Sequence, residues 1–220
     1  MTVMSLQSKT RTTLQEHPLT PVVTHWVHLV SIAVLVWTGF FIHNPFYSGS
    51  MQIDRTLHFI FMFLFIFSAV VRLYWSFVGF SAPPGSRHMR RDYTFFAPEE
   101  QNKGSLVPLL RYYFFLQSTP PKTSKYNPLQ KAVFALWGVL IALQAITGFE
   151  LWTPTSSFFL PLTYALGGPV NVRIIHYLIM WIFISTVTLH IYLVLTEEIR
   201  EVPLMFWRQE TASKPERERA

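Results

Sequence analysis

The sequence predicts an all-α membrane protein built as a bundle of four transmembrane helices. Three observations predict it. Half of the 220 residues are hydrophobic and only 14% are charged, whereas a soluble domain carries about a quarter charged residues. The apolar residues gather into four runs, 21–42, 56–79, 129–151 and 173–195, each near the roughly 20 residues a helix needs to cross a bilayer. Lysine and arginine are distributed very unevenly among the segments that join those runs.

Residues 1–20 read as a polar N-terminal tail. The first run is too long for a buried strand and has no polar face. A cleavable signal peptide would need small residues near its end; "TGFFIHNPF" offers bulky ones, so the run is a retained helix. The connection "HNPFYSGSMQID" is short and turn-like. After the second run comes the largest non-membrane segment, 80–127, which opens with "SAPPGSRHMRRD". Within it, "LVPLLRYYFFLQS" fits a helix lying at the membrane interface and, equally, an apolar patch packed beneath the loop. The third connection, "TPTSSFFLPLTYALGGPVN", is uncharged and broken by Pro and Gly, which suits a segment at the outer interface. Residues 21–199 thus form one helical domain, and 200–220 a solvated polar tail. One internal echo stands out: "TGF" closes the first run at 38–40 and recurs at 147–149.

Charge orients the bundle. Two Lys or Arg lie in the N-terminal tail, seven in the 80–127 segment and five in the C-terminal tail, while the other two connections have only Arg55 and Arg173 at their edges. The positive-inside rule therefore puts both termini and the middle loop in the cytoplasm, with the chain a multi-pass protein among lipid. The net charge of +6 follows from that topology and gives no support to a nucleic-acid partner. The absence of cysteine excludes disulfides, thiolate-held iron–sulfur clusters and covalent c-type haem.

Eight histidines are present. His17 and His88 lie outside the runs and read as solvated; His25 and His28 enter the first run, His43 follows it and His58 enters the second. His176 and His190 share the fourth run. Fourteen residues is close to four helical turns, so this last pair faces one way, about 21 Å apart along the axis. Chain direction then sorts the histidines by depth. His58 and His176 fall at the outer level, His25 and His190 at the inner one. Two opposed imidazoles at one depth are what the iron of a b-type haem needs, so the pattern predicts two bis-His haems b. A lone intramembrane His is as readily a packing residue, a proton relay or a quinone ligand; four that sort into two depth-matched pairs favour haem. Zinc would want four converging ligands. With both axial positions filled, electron transfer is the expected task rather than oxygen chemistry.

His28, one turn from His25, is an alternative inner ligand. Gly39, fourteen residues after His25, reaches the outer level, where a missing side chain suits either a porphyrin face or ordinary helix contact. Arg72, fourteen residues after His58, reaches the inner level. It can meet a haem propionate or extend to the headgroups.

With these residues in place, four stretches carry a family resemblance: "HWVHLVSIAVLVWTGFFI", "RTLHFIFMFLFIFSAVVRLYWSFVG", "RYYFFLQSTPPKTSKYNPLQKAVFALWGVLIALQAITGF" and "HYLIMWIFISTVTLHIYLVLTEEI". Together they resemble the b-type cytochrome subunit of membrane-bound nickel–iron hydrogenases, within a wider group of formate dehydrogenase and thiosulfate reductase cytochromes b and di-haem b561 cytochromes. The resemblance implies the same four axial ligands, His25, His58, His176 and His190. It also implies electrons entering from the iron–sulfur subunit of a periplasmic hydrogenase, crossing both haems and reducing a quinone near the inner one. A formate dehydrogenase or other molybdenum oxidoreductase as catalytic partner, and a free-standing b561-type quinone-linked enzyme, are the alternatives.

Overall fold

A computed structural model describes residues 18–81, 89–197 and 202–206. Four long helices dominate it: α1 (Leu19–His43), α2 (Met51–Val78), α4 (Pro128–Leu151) and α7 (Pro169–Glu197). At about 1.5 Å per residue each exceeds the roughly 30 Å of a bilayer core. All four are long and apolar enough to cross a membrane. Helices α2 and α7 begin several residues before their apolar runs, so Arg55 and Arg173 sit within helical turns.

Local sequence explains the helix ends. Asn127 caps α4 in a reciprocal box: its side chain accepts from the Gln130 amide at 2.8 Å, and Gln130 Oε1 accepts from the Asn127 amide at 2.9 Å. Pro128 fits the first helical position, where no amide is needed. Gly167 and Gly168, with φ of 88° and 100°, make the turn into α7, a backbone region that glycine enters freely.

The helices form a ring. Antiparallel α1 and α2 pack as one hairpin, and α4 and α7 as another around Leu140, Ile179 and Phe183. Phe40 of α1 meets Tyr177 and Trp181 of α7, while Phe59 and Phe63 of α2 meet Trp152 beyond α4. Helices α2 and α7 therefore stand diagonally opposed. Large apolar residues such as Phe67, Leu73, Val70 and Leu178 are exposed, as suits a lipid-facing surface. The buried positions of the spans include Ser31, Thr38, Ser68, Thr147 and Glu150.

The described residues between α2 and α4 pack against those two helices at one end of the ring, here called the loop end. β1 (Phe80–Ser81) pairs antiparallel with β2 (Arg90–Arg91), and a 3-10 turn, Asp92–Phe95, follows. Buried Asp92 accepts hydrogen bonds from Arg72 Nη2 and Ser81 Oγ, both at 2.9 Å. Glu99 takes Lys131 Nζ at 3.0 Å and also pairs with Arg90. In α3 (Leu106–Tyr113) only Leu109 is buried; Leu106, Val107 and Leu110 are exposed, as are Phe114, Phe115 and Leu116 after it. Most of this apolar patch is therefore exposed rather than packed beneath the loop. The third connection folds as two short helices, α5 (Thr153–Ser156) and α6 (Leu160–Ala165).

The polar tails expected at 1–20 and 200–220 lie, except for 18–20 and 202–206, outside the described residues. Where described, the C-terminal one differs from a solvated tail. Residues 202–206 form helix α8, because Trp26 gives it two contacts: Nε1 donates to the Met205 carbonyl at 2.7 Å, and its ring meets Phe206.

Candidate functional site

His58 on α2 and His176 on α7 face each other across the diagonal of the bundle, ring centroids 6.5 Å apart and planes at 59°. Metal–imidazole bonds of about 2 Å, with each ring centroid about 1 Å behind its nitrogen, put two trans imidazoles about 6 Å apart centre to centre. The pair thus already stands at the separation that a shared iron requires. His58 Nδ1 lies 2.8 Å from Thr38 Oγ1, and His176 Nδ1 lies 2.7 Å from Thr147 Oγ1. At His176 the other nitrogen, Nε2, lies 3.2 Å from the Gln144 amide.

A glycine follows each of those threonines. A Cβ at Gly39 would stand 3.7 Å from His58 Cε1 and 3.5 Å from Met180 Sδ. One at Gly148 would stand 3.5 Å from His176 Cε1 and 3.6 Å from Met62 Sδ. These are ordinary contacts, so protein packing alone does not demand a glycine at either place. Two flat-faced glycines beside two opposed imidazoles fit a planar macrocycle held between them, and in this respect the residues present fit haem.

The site has an approximate two-fold symmetry that relates the hairpins. In each, a Thr–Gly pair on the first helix contacts a histidine on the second. A methionine one turn after that histidine reaches the glycine of the opposite hairpin. Sequence reading noticed the repeated "TGF" but assigned no role to Thr38, Thr147, Gly148, Met62, Met180 or Gln144. The signal that would have found them is a second repeat, His-x-x-x-Met, in "HFIFM" (58–62) and "HYLIM" (176–180).

The remaining predicted residues are spread toward the loop end. His25 of α1 is half-buried and edge-on to Trp26 at 5.5 Å. His190 of α7 is half-buried and edge-on to Trp137 at 5.4 Å. His28 turns onto Phe65 of α2 at 5.0 Å, with its Nε2 buried and unpartnered. Arg72 is joined to Asp92 and lies over the rings of Trp75 and Phe96. His43, at the far end, stacks on Tyr177 at 4.1 Å. His17 and His88 lie outside the described residues.

A four-helix membrane bundle that presents opposed imidazoles from two diagonal helices is built as b-type cytochromes are. The chain belongs to the prokaryotic cytochrome b561 family, whose model matches residues 16–208. It is 28% identical over 194 residues to the "Probable Ni/Fe-hydrogenase 1 B-type cytochrome subunit" of Escherichia coli K12, covering 80% of this chain and 79% of that one. The "Probable Ni/Fe-hydrogenase B-type cytochrome subunit" of Rhodobacter capsulatus is 30% identical over 219 residues, with 89% and 78% covered. That of Cupriavidus necator is 27% identical over 197 residues, with 80% and 76% covered.

Proposed function

We propose that this chain is the di-haem cytochrome b subunit through which a periplasmic hydrogenase passes electrons across the cytoplasmic membrane to quinone. The observation that carries the reading is the opposition of His58 and His176 at 6.5 Å, with their Nδ1 atoms already bonded to threonine. In this reading His58 and His176 hold the outer haem, and His25 and His190 the inner one. Each haem supplies one-electron exchange at iron, and two protein ligands per iron keep oxygen from binding there. His28, engaged with Phe65 on the neighbouring helix, is less suited than His25 to bridge from α1 to α7.

The chain's own residues do the rest. Gly39 leaves room for a porphyrin face beside His58. Arg72, with Nη2 held by Asp92, keeps further N–H donors for a propionate of the inner haem. The seven Lys and Arg of 80–127 orient the loop end to the cytoplasm, so quinone reduction falls near the inner haem and electron entry at the opposite face. The names of the similar proteins favour a hydrogenase over a formate dehydrogenase as partner.

Haem content per chain, measured as pyridine haemochrome on protein purified in mild detergent with its co-purifying subunits identified, tests this. Two haems b with hydrogenase subunits are expected. A chain without haem would sink the reading, and a different catalytic subunit would replace the partner. His190→Ala should remove the inner haem and stop quinone reduction while the outer haem stays; His58→Ala should remove only the outer haem.

A further inference from the structure

Thr38 and Thr147 sit in equivalent places, and the direction of their hydrogen bonds can be worked out atom by atom. A threonine hydroxyl has one proton and two lone pairs. Thr38 Oγ1 donates to the Val34 carbonyl at 2.7 Å, with the Leu35 carbonyl next at 3.3 Å. Thr147 Oγ1 donates to the Leu143 carbonyl at 2.8 Å, with the Gln144 carbonyl at 3.3 Å. This bond to the preceding turn is the one a threonine readily makes inside an apolar helix. The hydroxyl proton is spent in both cases, and only lone pairs remain to face the imidazole. Each histidine must therefore be the donor, with its proton on Nδ1. Its Nε2 then carries the lone pair, directed away from the threonine; at His176 that lone pair faces the Gln144 amide at 3.2 Å, a contact that iron would replace. With Nδ1 protonated, the Gln144 amide nitrogen is the donor of that contact.

We infer that Thr38 and Thr147 are paired positioning residues that lock His58 and His176 in the tautomer whose Nε2 binds iron, and that they jointly lower the reduction potential of the outer haem. The inference rests on the haem reading above. Which imidazole nitrogen binds a metal is set by the hydrogen bond the other one makes. A bond from Nδ1–H to an oxygen also pushes electron density toward Nε2, which makes it a stronger donor and favours ferric iron. Both threonines are almost fully buried, 1% and 4% exposed, so water does not substitute for them. Because the arrangement is two-fold, both axial ligands of one iron are strengthened together.

The test uses Thr38→Val and Thr147→Val, which keep the shape and remove the acceptor, beside Thr38→Ser and Thr147→Ser, which restore it. The chain is purified with its partner subunits. Each haem is followed by spectroelectrochemical titration and by the g values of its low-spin ferric signal, with His58→Ala marking which signal is the outer one. The valine variants should raise the outer midpoint potential and move its g values, most in the double variant, while the inner haem is unchanged. The serine variants should return both to wild type. Loss of the outer haem alone in valine variants, recovered in serine, also supports the inference. Wild-type potential and g values in both valine variants overturn it while leaving the two-haem reading intact. Serine behaving as valine overturns it too, since the methyl group and not the hydroxyl would then matter. A wild-type chain with no haem at His58 and His176 overturns both.

Discussion

Arg72 near the end of α2 and Asp92 of the following 3-10 turn are joined at 2.9 Å, with the carboxylate 3% exposed and also bonded by Ser81. One aspartate thus fastens the loop end to the bundle at the depth expected for the inner haem. Asp92→Ala removes the carboxylate that holds Arg72 Nη2 and leaves Ser81 Oγ without its acceptor. Loss of a hydrogen bond to a charged group costs about 1.5–3 kcal/mol. The variant should melt at lower temperature in mild detergent and be cleaved sooner in 80–127 by added protease. An unchanged melting temperature and cleavage rate would show that the pair is incidental.

Gly39 and Gly148 separate protein packing from haem packing. Since a Cβ at either position meets its protein neighbours at 3.5–3.7 Å, alanine should be accepted by the bundle itself. Gly148→Ala and Gly39→Ala are expected to lower outer-haem content, read as haemochrome per chain, while the helical circular dichroism stays at the wild-type value. Full haem content in both variants would return these glycines to ordinary helix contact.

Glu99 gives the loop end a pH dependence. Its burial works against ionisation, but hydrogen bonds with Ser124, Lys131 and Arg90, and the Lys131 charge, outweigh that and hold the carboxyl below its usual 4.5. A carboxylate with a depressed folded pKa contributes stability that is fully present above the unfolded value and fades as pH falls through the folded one. Resistance of the loop to protease should therefore be flat above about pH 5 and drop below 4.5. Glu99→Gln should lower the plateau and flatten that drop. A drop of the same size in the variant would assign it to another group.

The spans were legible because each rests on one helix's own run of about 20 apolar residues; the facing of His58 and His176, which the structure sets 6.5 Å apart, needed chain direction as well. The outer site was only half legible. Gly39 could be placed by helical spacing, but Thr38 acts on His58 from a different helix, and Thr147 on His176 likewise. Nothing in the sequence states which helices adjoin. The "TGF" echo was visible without its meaning, which appears only when each Thr–Gly pair lies beside a histidine. Arg72 was seen as a lone intramembrane cation, while Asp92 lies twenty residues on, beyond a Pro-rich stretch that hides the pairing. Helix α8 was missed because a single tryptophan, Trp26, supplies the surface it docks on.

The two-fold relation that organises the outer site breaks at the inner level. Fourteen residues after His176 stands His190, but fourteen after His58 stands Arg72. Fourteen before Gly39 stands His25, but fourteen before Gly148 stands Phe134. In the hairpin of α4 and α7, aromatic residues stand near His190: Phe134 contacts Trp137, which stands edge-on to His190 at 5.4 Å and donates from Nε1 to Thr186 Oγ1 at 3.0 Å. Trp137, held by its bond to Thr186, thus packs edge-on against His190, while Thr147 hydrogen-bonds His176. Trp137→Leu removes the ring and the bond together. It should lower inner-haem occupancy or shift the g values of its ferric signal, and leave the outer haem, whose threonines are untouched, at wild-type potential. An effect confined to the outer haem would mean that His190 is not an inner ligand. Equal change in both haems would mean that Trp137 supports the bundle as a whole.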